Sequence, residues 1–183
     1  MTTRPEPPIA GDDTATMLGS LERQRATFAW KCAGVDEDGL KASVGASSLT
    51  LGGLLLHLAM VEDLYFSVRV GGANIHELWP DADFDDPDWE WHAAAELTAE
   101  SLLTAWQRAV RRSRAVIDEQ LEAGGLDQLA RHAPFDTPPS LRRILADLVE
   151  EYARHVGHAD LIREAVDGAT GEDPPPDLPG YPT

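Results

Sequence analysis

The sequence is poor in several things, and each scarcity removes a class of function. Cys32 is the one cysteine in 183 residues, so no internal disulfide and no cysteine-based zinc knuckle can form. Any metal must therefore rely on histidine and carboxylate ligands. Basic side chains are few: 15 Lys and Arg, with Lys31 and Lys41 the only lysines, stand against 32 Asp and Glu for a formal net charge of −17. A phosphate backbone or an anionic membrane surface recruits clustered cations, so neither nucleic acid nor membrane is expected as a partner. Long apolar runs are also missing. The opening Met1-Thr2-Thr3-Arg4-Pro5 has no apolar core of a signal peptide, and the densest apolar stretch, 51–61, is too short to span a bilayer. A cytoplasmic location is expected. No segment alternates as a strand would, and no internal repeat is visible.

What remains is ordinary globular composition, 43% hydrophobic and 26% charged, in a length that suits one core. Residues 1–12 and the Pro-rich 169–183 read as loosely held flanks around a helical domain at 13–168. Within it lie four helical patterns. The first runs over about 13–33, capped by Asp12 or Asp13, with Leu18, Leu21, Phe28 and Cys32 at helical spacing. The second, about 51–70, carries a wide apolar face that includes Leu54, Leu58 and Val61 and stops at Gly71-Gly72. The third starts at the cap Thr98 and ends at Gly124-Gly125; the fourth starts at Ser140 and closes at Gly168. Residues 73–97, with Trp79, Trp89, Trp91, Pro80, Pro87 and many aspartates, predict a long crossover loop between helices two and three. The expected fold is all-α, a four-helix bundle.

The chemistry concentrates in the second and fourth helices. Glu151 and His155 stand four apart, which places them on one face with Cβ atoms about 5–6 Å apart. Their row also holds Leu148, His158 and Ile162, so polar groups interrupt an inward stripe and need partners there. His57 sits inside Leu54-Leu55-Leu56-His57-Leu58-Ala59, where an imidazole needs a hydrogen bond or a metal. Facing each other, His57, Glu151 and His155 form the two-imidazole, one-carboxylate set of a catalytic zinc site with a fourth position open. Fe(II) and Ni(II) suit the same donors. His158 is the alternative ligand, or else an outer partner of the site. His76, His92 and His132 read as ordinary loop histidines. The aspartates 81, 83, 85, 86 and 88 lack the glycine and distal glutamate of a calcium loop and read as a solvated acidic segment.

The segments Leu51-Gly52-Gly53-Leu54-Leu55-Leu56-His57-Leu58-Ala59-Met60-Val61-Glu62-Asp63 and Glu150-Glu151-Tyr152-Ala153-Arg154-His155-Val156-Gly157-His158 resemble the DinB-like (DinB/YfiT-type) metal-binding superfamily. Its actinobacterial mycothiol-dependent branch is the most similar, through Gln24-Arg25-Ala26-Thr27, Asp88-Trp89-Glu90-Trp91 and Ser140-Leu141-Arg142 as well. The resemblance implies an up-down-down-up four-helix bundle with a divalent metal on His57, Glu151 and His155. The commoner pattern has histidine where this chain has Glu151, whereas the mycothiol-dependent isomerases also use a carboxylate. It further implies a low-molecular-weight thiol, mycothiol or a relative, used for S-transfer to, or isomerisation of, a small electrophile. A metal-dependent hydrolase and a non-catalytic protein stapled by its metal are the alternatives. A homodimer is the commonest form of soluble homo-oligomer and fits exposed helix faces.

Overall fold

The computed structural model describes residues 5–132 and 136–174; residues 1–4 and the tail from 175 lie outside the described residues. Seven α-helices, and no strand, form among them: α1 (Asp13–Cys32), α2 (Glu37–Lys41), α3 (Leu51–Glu62), α4 (Ile75–Leu78), α5 (Trp89–Glu96), α6 (Ala99–Gly124) and α7 (Leu141–Asp167). An isolated bridge between Leu129 and Ser140 is the only strand-like pairing described. The long helices begin where side chains satisfy their free amides. Asp12, Thr50, Thr98 and Ser140 accept from Ala15, Gly53, Ser101 and Arg143 respectively. Gly168, at φ 77°, takes the left-handed turn that ends α7.

Short helices form where the sequence expectation has none, α2 at Glu37–Lys41 among them. The 73–97 connection is not all loop, because α4 and α5 form within it; Pro87 precedes α5, where it does not break a helix. The helix begun at Leu51 reaches Val70, as its sequence predicts, with α3 followed by a π-helical segment, Asp63–Val70. Together they make 20 continuous residues, long and apolar enough to cross a membrane by composition, yet mostly buried inside the protein. Core packing accounts for that apolarity.

The four long helices share one apolar core that includes Leu21, Phe28, Leu54, Trp106 and Leu145. α1 lies along α7, and α3 lies against both α6 and α7. The ends of these helices are tied by ions: Asp13 pairs with Arg142, Lys31 with Asp160, and Arg163 donates to the carbonyls of Lys31 and Ala33 that end α1. The described flanks pack on α1 too. Glu6 pairs with Arg23, Pro7 lies against Gly19, and the Gly171 carbonyl accepts from Lys31.

A polar chain runs through the core. Glu62, at 0% exposure, receives both forks of Arg25, at 1%, with Nε–Oε1 2.7 Å and Nη2–Oε2 2.6 Å. The Tyr152 hydroxyl donates to Glu62 Oε1 at 2.7 Å and accepts from Trp106 Nε1 at 2.9 Å. Burial, and after it the Glu62 charge, push the Tyr152 phenol well above its usual range, so it stays a neutral donor. Glu22 continues the chain by bridging Arg25 and Arg114. The next residue, Asp63, points elsewhere because neighbours on a helix diverge by about 100°. It is equally buried and accepts from Arg112, Ser67 and Trp79.

Removing one partner of such a pair strands the other charge in the core. Glu62→Ala is expected to lower the unfolding free energy in urea by about 3–5 kcal/mol. Arg142→Ala, in an exposed pair, should leave the midpoint nearly unchanged. Equal midpoints for both variants would show that the buried chain does not hold the helices together.

Candidate metal centre

The site begins with two helices whose capping sets their rotation. α3, started by Thr50, presents His57 between the fully buried Leu56 and Leu58, but the imidazole itself is only partly covered, at 22% exposure. α7, started by Ser140, brings Glu151 and His155 one turn apart on the face opposite. The structure brings these three together: one donor atom from each lies within 4.8 Å of the others. Donors around one ion at about 2.0–2.2 Å stand roughly 3–4 Å apart, so side-chain rotation alone could close them on a metal. Among the described residues this is the only group of three or more metal-capable side chains that converges.

The orientation of the rings is more informative than their proximity. Glu151 Oε1 is 3.2 Å from His57 Nε2 and 3.2 Å from His155 Nε2, so one oxygen faces the same nitrogen of both imidazoles. Each ring turns its other nitrogen outward. His57 Nδ1 lies 3.6 Å from Glu90 Oε1, and His155 Nδ1 lies 3.3 Å from His158 Nδ1. Histidines that bind metals characteristically hold their second nitrogen on such an outer partner.

The charges agree with that geometry. Burial opposes protonation of His57, but Glu151 and Glu90 together raise its pKa to about 9. Glu151 is driven well below the usual carboxylate range, first by His155 and then by His57. His158 is lowered by burial and by the nearby His155 and Arg154, which suits a neutral acceptor. A carboxylate aimed at two imidazole nitrogens creates a place for positive charge, whether proton or cation.

A family model described as mycothiol-S-transferase matches residues 16–168. The chain belongs to the mycothiol-S-transferase family. This is a DinB/YfiT-like family, and the matched span includes His57, Glu90, Glu151, His155 and His158. Searches of curated proteins and of solved structures gave no match.

In this mycothiol-S-transferase family member His158 stands behind His155 and outside the converging group. His76, His92 and His132 are exposed and distant from it in role; His92 pairs with Asp86 at 2.8 Å. The acidic stretch closes on itself, with Asp83 and Asp86 accepting from the amides of Asp85 and Asp88. Of its two tryptophans, Trp89 packs edge-on against Trp79, while Trp91 stacks on His57 with centroids 5.7 Å apart and planes 21° apart.

Sequence reasoning missed α5 as the third wall of the site, and with it Glu90. The signal was present in Gly53, one turn before His57. A Cβ there would lie 1.9 Å from Trp91 Cε3, so only glycine lets the indole rest on α3. A glycine inside an apolar helix marks such a close approach. Gly53→Ala should therefore push Trp91 away from His57, altering the near-ultraviolet circular dichroism and costing about 1–3 kcal/mol in urea titration from overpacking. A spectrum identical to that of the parent would place the indole elsewhere.

Proposed function

We propose that this protein is a metal-dependent S-transferase that joins a mycothiol-like thiol to a small electrophile. The observation that carries the reading is the paired imidazole geometry, in which both Nε2 atoms face Glu151 and both Nδ1 atoms have outer partners. Family membership supplies the thiol chemistry. In this reading His57, Glu151 and His155 hold the ion, and zinc fits two imidazoles and a carboxylate with room for one further donor. When bound, the metal would supply a Lewis-acid position at which a thiol of pKa about 8.5 loses its proton at neutral pH.

The chain's own residues set the conditions for that step. Two neutral imidazoles and one carboxylate leave one positive charge of a divalent ion uncompensated, which favours an anionic fourth donor. Trp91 covers one face of His57 and keeps water from it. With Nε2 on the ion, His155 would carry its proton on Nδ1 and donate it to His158 Nδ1, 3.3 Å away.

The same reading places the site in an up-down-down-up bundle. Supporting it, Asp13 meets Arg142 and Lys31 meets Asp160, as parallel α1 and α7 require. Gly52 meets Leu102 and Gly71 meets Val116, as parallel α3 and α6 require. His57 near His155 and Glu62 near Tyr152 set α3 against α7 in opposite directions. The connection at 73–97 is then the crossover between parallel helices. A cytoplasmic setting is consistent with the free, buried Cys32.

His57→Ala, Glu151→Ala and His155→Ala should each abolish near-stoichiometric metal in elemental analysis, while His158→Ala retains most of it. Metal kept by Glu151→Ala and lost by His158→Ala would replace this ligand set with an all-histidine one. Function is tested separately with cobalt-loaded protein, where mycothiol should produce a charge-transfer absorption that its S-methyl derivative does not. Conjugation of the thiol to a bimane-type electrophile should accompany it and vanish in His57→Ala. Absence of any thiol response, together with ester or amide hydrolysis by the loaded protein, would turn the reading to a hydrolase.

A further inference from the structure

We infer that Glu90 is a positioning residue, the outer carboxylate that orients His57 for the metal, and that α5 exists at this place in order to deliver it. The inference rests on the metal reading above. His57 has two ring nitrogens with different surroundings: Nε2 faces Glu151, inside the converging group, and Nδ1 faces Glu90, outside it. Glu90 does not belong to the group of atoms that could share an ion, so its carboxylate addresses the ring rather than the centre.

At 3.6 Å the Nδ1–Oε1 contact is an ion-pair separation, longer than a formed hydrogen bond by about half an ångström. Both groups are mostly covered, with side-chain exposures of 22% and 20%, so water competes weakly for the contact. The neighbouring residue completes the hold. Trp91 lies almost parallel to the imidazole and fixes the plane of the ring, while Glu90 fixes its rotation within that plane.

The arrangement also answers why a helix forms directly after the acidic part of the connection. Glu90 and Trp91 are adjacent in the first turn of α5, and Gly53 leaves the space that lets this turn dock on α3. His155 receives the equivalent service from His158 on its own helix. The two ligands are thus oriented by different means, one by a neighbour one turn away and the other across a crossover connection.

Competition of zinc between the full-length protein and a chromogenic chelator tests the assignment. Glu90→Ala should weaken zinc binding by about 10- to 100-fold. Glu90→Gln, which keeps an acceptor at the same reach, should recover part of that loss. In zinc-loaded protein the ¹⁵N shifts of His57 should show a protonated, hydrogen-bonded Nδ1 in the parent and a changed Nδ1 signal in Glu90→Ala. The urea midpoint of the metal-free variants should match that of the parent. Unchanged zinc affinity in Glu90→Ala overturns the inference, as does a loss of affinity matched by a lower midpoint in metal-free protein, which would mark a structural role. Parent protein that binds no zinc would overturn the metal reading itself, and that result is visible before any variant is made.

Discussion

Glu62 and Arg25 form a bidentate ion pair with almost no access to water, and the placement of every long helix follows from the need to keep it complete. Arg25 comes from α1, Glu62 from α3, the Tyr152 hydroxyl from α7 and the indole that donates to it from α6. A sliding or rotation of any one helix would leave a charge or hydroxyl unsatisfied in the core, which costs more than apolar contacts at a new register could return. The pair is better understood as a register device than as a source of net stability, since the desolvation of two ions offsets much of their attraction.

The candidate metal centre inherits its geometry from that device. Tyr152 follows Glu151 directly, and Glu62 lies five residues after His57 on the same continuous helix. Once Tyr152 is held on Glu62, the height and rotation of α7 against α3 are determined, and Glu151 and His155 come to face His57. Asp63 does for the 73–97 connection what Glu62 does for the helices. Its contacts to Arg112 and Trp79 anchor the beginning of the crossover against α6, and the crossover carries α5 to the site. The acidity of the chain is therefore of two kinds. Much of it is exposed, some of it in surface ion pairs such as Glu6–Arg23, while Glu62, Asp63, Glu90 and Glu151 are each covered and directed at a particular cationic or hydrogen-bonding partner.

Much of this was legible before any tertiary contact was known. Asp12, one of two candidates, and Thr98 and Ser140 cap helices where their sequences predict them, because an N-cap is satisfied by amides two or three residues away and needs nothing distant. Glu151 and His155 fall on one face for the same reason: the helical repeat is local. His57 announced itself as a polar residue inside an apolar run. The bundle expectation, and after it the family resemblance, joined the two helices, which periodicity alone does not do.

The remainder depended on contacts between residues far apart in the chain. Nothing within Asp88-Trp89-Glu90-Trp91 distinguishes a solvated acidic turn from a helix docked on the site; the difference is the gap at Gly53, 38 positions earlier. Glu62 and Asp63, adjacent and both charged, read as the polar end of an apolar helix until Arg25 and Arg112 arrive from other helices to bury them. His158 shares the α7 face of Glu151 and His155, and only the fold shows that it lies outside the converging group, with its Nδ1 3.3 Å from that of His155. Sequence by itself determined the four long helices, most of their caps and the candidate ligands, because those follow from short-range hydrogen bonding and helical repeat. Tertiary structure decided which nitrogen faces inward, which carboxylate stands behind it and which charges are buried, because each depends on a partner supplied by another helix.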